Sequence, residues 1–212
     1  MIKFFQASFT VFLLLGMMAP LQADEATDQA EITKLIKACD ANDAKSCKDL
    51  GIAYKYGKNV SPDDVKADAY YKRAVGLYEK ACDIGSFEGC ARLGTAFLTG
   101  QSVDKNVPKA EELLNFSCDG GYGIACSILG RMYYNGLGVE QNIPTALTKH
   151  KQGCEEYKNR TSCLFLGKIY ERGRGVDKDI RVAVSYYKTS CSQGDKYSCN
   201  KVKDLEYNYN LN

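Results

Sequence analysis

KACDIGSFEGCARLG (80–94) sets two cysteines, Cys82 and Cys90, eight residues apart, with a glycine between them and Leu-Gly just after. The arrangement recurs. Cys39 and Cys47, Cys118 and Cys126, and Cys191 and Cys199 repeat the gap of eight, while Cys154 and Cys163 stand nine apart. The second cysteine of each pair opens a further pattern, seen in CKDLGIAYKYG (47–57), CARLGTAFLTG (90–100), CSILGRMYYNG (126–136) and CLFLGKIYERG (163–173). Leu-Gly, an aromatic three residues past the glycine and a closing glycine thus occur four times in register. Ala74, Ala110, Ala146 and Ala183 each precede the first cysteine of a pair by eight residues.

The period is 36, 36 and 37 residues from Cys82 onward, and the first unit is lengthened to 43, with the insertion placed around KNVSPDD (58–64). A repeat of this length means stacked supersecondary units, each burying the apolar face of the next. Each unit reads as two helices. Leu129, Met132 and Tyr133 fall at helical spacing and Gly136 follows as a left-handed stop, after which a second helix runs through Ala146 to Cys154. Each cysteine pair then joins the end of one helix to the start of the next, and Gly85, Gly121 and Gly194 let the chain reverse between them. In the fourth pair Tyr157 stands where these three carry glycine. A closed loop of this size gives each bridge roughly 2.5 kcal/mol in the loop-entropy model.

Composition narrows the functional classes. The chain has 212 residues, 45% of them hydrophobic and 25% charged, which suffices for a real core. A formal net charge of +2 leaves no electrostatic footprint for nucleic acid or an anionic membrane. At the N-terminus Lys3, the apolar run FTVFLLLGMMA (9–19) and PLQA ending at Ala23 read as an export signal over residues 1–23, cleaved after Ala23. The apolar run is shorter than the roughly 20 residues a membrane anchor needs. Ten cysteines in an exported chain argue for disulfides in an oxidising compartment, periplasmic or extracellular.

These motifs resemble the Sel1-like repeats, whose A-x-x-x-L-G-x-x-Y-x-x-G-x-G-V pattern is nearly whole in CSILGRMYYNGLGV (126–139) and CLFLGKIYERGRGV (163–176). With a cysteine pair in every unit, the chain also resembles the Helicobacter cysteine-rich proteins, over about residues 33–203. The resemblance implies a secreted α/α solenoid, related to tetratricopeptide arrays, with a disulfide in each helix pair. It also implies penicillin binding with weak β-lactamase activity, or a role as a scaffold for protein partners.

The residues themselves give the enzyme reading little support. A serine β-lactamase needs S-x-x-K with S-D-N and K-T-G elements. The chain offers SYYK (185–188), KTS (188–190) and SCN (198–200), and in SYYK Tyr187 holds a repeated core position. Tyr78, Leu114 and His150 likewise stand four residues before a unit's first cysteine, which gives His150 a packing role. It is the only histidine, too few for a zinc lactamase, and no C-x-x-C is present for thiol redox chemistry. No catalytic residue, metal or cofactor is assigned.

A binding surface suits the architecture better, because stacked first helices line a concave face. Arg131 and Asn135 share one helix face at i, i+4, Lys168 and Arg172 occupy the equivalent positions one unit on, and Tyr134 lies close by. Earlier units carry Ile52 and Tyr56, then Thr95 and Thr99, so the column grows more basic toward the C-terminus. Arg131, Tyr134, Asn135, Lys168 and Arg172 are therefore the candidate ligand-binding residues, suited to a carboxylate-bearing ligand such as an acidic peptide, a peptidoglycan fragment or a β-lactam.

The expected molecule is an all-α, right-handed α/α solenoid acting as a monomeric binding scaffold, with no nucleic acid and no stable membrane anchor. A capping helix falls at 24–46, four repeats at 47–82, 83–118, 119–154 and 155–191, and a capping helix and tail at 192–212.

Overall fold

The computed structural model describes the backbone of residues 19–211 and the side chains of residues 29–211. The expected export signal at 1–23 lies outside the residues described in full. Among the described residues the chain is all helical, and it divides into two compact units, one up to Ala74 and one from Val75.

The first unit holds α1 (Ala19–Asp40), α2 (Ala44–Tyr56) and the start of α3 (Asp64–Asp83). After the rest of α3, the second unit continues with α4 (Phe87–Thr99), α5 (Val107–Asp119), α6 (Gly123–Asn135) and α7 (Ile143–Lys151). A π-helical turn (Gln152–Glu156) leads on to α8 (Arg160–Arg172), α9 (Ile180–Ser192) and α10 (Lys196–Tyr209). The even-numbered members α2, α4, α6, α8 and α10 are the first helices of the repeats.

Local chemistry repeats as faithfully as the motif. Asp43, Ser86, Asn159 and Asp195 cap first helices with side-chain oxygens, and Asp63, Asn106, Asn142 and Asp179 cap second helices in the same way. α6 is the exception, starting after Tyr122 with no side-chain cap. α2, α4, α6 and α8 all end on a left-handed glycine, with φ of 67°, 71°, 67° and 69° at Gly57, Gly100, Gly136 and Gly173.

The Leu-Gly motif sets how the helix pairs close. Leu50, Leu93, Leu129 and Leu166 are buried, and each adjoining glycine takes a side chain from the residue twenty positions on. A Cβ on Gly51 would come within 2.5 Å of Tyr71, one on Gly94 within 3.1 Å of Leu114, one on Gly130 within 2.6 Å of His150, and one on Gly167 within 2.7 Å of Tyr187. Glycine is needed here for close approach.

All five cysteine pairs stand at disulfide distance, with Cα–Cα separations from 4.5 to 4.8 Å: Cys39–Cys47, Cys82–Cys90, Cys118–Cys126, Cys154–Cys163 and Cys191–Cys199. Each ties the end of a second helix, or of α1, to the first helix that follows it. At the C-terminal end α10 covers Val184 and Tyr187 with Leu205, which closes the core.

Two expectations are corrected. The extra residues of the first unit do not lie at 58–64. Gly57 to the start of α3 has the same length as Gly100 to the start of α5, and α3 is 20 residues long where α5 and α9 have 13. The seven added residues are two further helical turns. Consequently Tyr71, not Tyr78, is the counterpart of Leu114 and His150, and Ala67 is buried as well as Ala74.

The second correction concerns the fourth cysteine pair. Its one extra residue is absorbed by the π turn at Gln152–Glu156, and the left-handed position moves along the chain by one. Lys158 has φ of 51°, whereas Tyr157 has an ordinary φ of −103° and packs against the core around Cys126 and Leu129.

Candidate functional site

The first helices of the second unit present one face at i, i+4, i+7 and i+11: Thr161, Phe165, Lys168 and Arg172 on α8, with Tyr197 and Lys201 on α10. On α6 the same face carries Ile124, Ile128, Arg131 and Asn135. The structure brings two of the expected residues onto a shared support. The Arg131 guanidinium lies 5.9 Å from the centroid of the Phe165 ring and the Lys168 ammonium 5.8 Å from it. Both are attracted by the ring's quadrupole. Neither is ion-paired to a carboxylate among the described residues.

Lys168 also sits 4.8 Å from the centroid of Tyr197, which is 44% exposed. Beyond it the charges are matched. Lys201 Nζ donates to Glu171 Oε1 at 2.7 Å, and Tyr187 Oη donates to Glu171 Oε2 at 2.6 Å. Burial pushes the Glu171 carboxyl up, but these hydrogen bonds and the charges of Lys201 and Arg172 outweigh it and hold it below its ordinary range. Tyr187 is pushed up by its own burial and by donating to that carboxylate.

Under the face lies His150. It is fully buried, its ring stacks on Phe165 at 5.1 Å and 7°, and neither ring nitrogen has a hydrogen-bond partner. Burial, with a smaller push from the Arg131 charge, lowers its pKa to about 4, so the ring is neutral at physiological pH.

The other expected residues are differently engaged. Asn135 Nδ2 donates to the Arg131 carbonyl of its own helix at 3.1 Å. Tyr134 accepts from Arg174 Nη1 at 3.3 Å, and exposed Arg172 acts through its charge on Glu171. Phe165, Tyr197 and Lys201 were missed by sequence reasoning. Stepping back seven residues from Lys168 and forward by fours along α8 and α10 would have found them.

The residues weighed for catalysis are placed elsewhere. Ser185 is exposed on α9, and the lysine of its S-x-x-K, Lys188, is ion-paired to Glu206 at 2.7 Å. Among the described residues no group of three or more His, Cys, Asp or Glu is placed to hold a metal ion, and no helix is long and apolar enough to cross a membrane.

The Sel1 repeat model matches residues 44–86, 87–122, 123–148 and 161–195. Among solved structures the chain is similar to Helicobacter pylori cysteine rich protein B, at 26% identity over 63% of this chain and 95% of that one, with a TM-score of 0.51. It shares its fold with a Sel1 repeat protein from Oxalobacter formigenes, at 23% identity over 84% of this chain and TM-score 0.57. A protective antigen of uropathogenic Escherichia coli shares it too, at 21% identity, 84% of this chain and TM-score 0.56. This chain spans 66% of the Oxalobacter protein and 44% of the antigen. No curated protein matches. With matched repeats over more than half its length, the chain belongs to the Sel1 repeat family.

Proposed function

We propose that this protein is an extracytoplasmic binding scaffold that holds an acidic segment of a protein partner on the first-helix face of its second unit. The observation that carries the reading is the pair of cations, Arg131 and Lys168, set over one aromatic ring and ion-paired to no carboxylate among the described residues. Positioned cations beside exposed aromatic surface suit a carboxylate-bearing chain with apolar residues between its charges. Peptides derived from the cell wall carry the same carboxylate chemistry. Sel1 repeats mediate protein–protein interaction, which supports a partner over a substrate. Five disulfides support a site of action in an oxidising compartment.

The test is fluorescence anisotropy of the oxidised protein with a labelled peptide alternating Glu and Leu, against its Gln counterpart. Saturable binding of the Glu peptide that weakens with salt is expected. Equal binding of both peptides, or none, removes the reading.

A further inference from the structure

His150 lies in the last turn of α7 in an uncommon setting. It packs against Gly130 of α6 on one side and stacks on Phe165 of α8 on another, and the π turn begins two residues after it. The equivalent positions are filled by Tyr71, Leu114 and Tyr187, which carry no group that titrates near neutral pH. A buried imidazole with both nitrogens unbonded is neutral at a cost, and a charged one there meets no acceptor among the described residues.

The groups around it offer no relief. From α6 the charge facing it is that of Arg131, like in sign to a protonated ring. From α8 it meets the Phe165 ring, with Lys168 over the same ring. The π turn brings Gly153 and Cys154 as its buried residues, while Glu155 Oε1 accepts from Tyr186 Oη. On its own helix Lys149 is turned to Asp119.

We propose that His150 makes ligand binding at this face proton-linked: a proton on its ring unseats Phe165, disperses Arg131 and Lys168, and releases the acidic ligand. This rests on the binding face proposed above. The π turn, where the α-helical ladder is already interrupted, gives the end of α7 a place to yield.

Two measurements on the full oxidised chain test it separately. The first is a nuclear magnetic resonance titration from pH 7 to 3.5 without ligand, following the single histidine and the Phe165 ring. The expected result is a midpoint far below that of a free histidine, with Phe165 moving at the same midpoint. A Phe165 ring indifferent to that titration overturns the proposal.

The second is the affinity of a tyrosine-sulfated peptide, whose charge is constant over this range, for wild type, His150→Leu and His150→Tyr. These variants install residues that other repeats carry at this position, so at least one should fold. With a folded-state midpoint of about 4, the affinity of wild type relative to the variants should fall about fourfold by pH 3.5. An unchanged ratio, or wild type tightening in acid as plain charge attraction would have it, overturns the proposal. No binding by any form at pH 7 instead overturns the binding face and with it the ligand half, leaving the coupling of His150 to Phe165 to the first measurement.

Discussion

His150 and the glycines that face the second helices carry the sharpest consequences of single residues. Because the folded state holds the His150 pKa at about 4, below the ordinary 6.5, the unfolded chain takes up its proton first as pH falls. Its contribution to stability is complete above about pH 6.5 and is lost progressively down to about pH 4, amounting to about 3 kcal/mol. Urea unfolding of wild type and His150→Leu at both ends of that window should show this loss as the difference between them, since carboxylates held below their ordinary range, Glu171 and Asp43, weaken both proteins near pH 4. The glycines divide by what surrounds them. Gly130→Ala should cost about 1–3 kcal/mol, since its Cβ would meet His150 at 2.6 Å. Gly76→Ala in α3 meets nothing within 4 Å and should add about 0.5–1 kcal/mol. Of the proposed binding face, the placing of Arg131 and Lys168 on the first-helix face was legible from the repeat register. Phe165 was not, because an aromatic between two core leucines reads as core until the helix face is known.

The elements show where counting along a sequence succeeds and where it slips. Caps, stops and the Leu-Gly contacts repeat with a constant offset, so helix pairs could be read from one unit to the next. The offset from glycine is constant, but the offset from cysteine is not. Counted from its cysteines, the first unit places Tyr78 where Tyr71 belongs and the insertion around residues 58–64. Two whole turns added to a helix preserve its buried face, and Ala67 and Ala74, seven residues apart, are both buried for that reason. The one-residue insertion in the fourth unit cannot be hidden in that way and emerges as a π turn. It leaves Lys158 left-handed, a conformation that strains a side chain by roughly 1 kcal/mol or more. Lys158→Gly should therefore raise stability by about 0.5 kcal/mol, the relief being partly offset by the greater freedom of the unfolded chain. Thermal unfolding monitored by circular dichroism would resolve the sign.

At the scale of the whole molecule, stability in an array comes from each repeat and its immediate neighbours, and the disulfides reinforce those local joints. Replacing Cys118 and Cys126 together by alanine should cost about 2–3 kcal/mol, read by urea unfolding, and should leave the first unit's Cys39–Cys47 joint unchanged. The family and the fold were legible in the spacing of cysteines, leucines and glycines, because these residues are dictated by backbone approach. The partner was not, because a solvent-facing helix surface obeys no such constraint. The most direct test of the account is therefore the acidic peptide's affinity for a variant carrying Arg131→Glu and Lys168→Glu, beside a control with two reversals away from the face, Lys80→Glu and Lys109→Glu. The account predicts that the first variant loses binding at least tenfold while the control, of the same net charge, changes little. Equal loss in both would mean that the peptide responds to overall charge, and the first-helix face would not be the binding site.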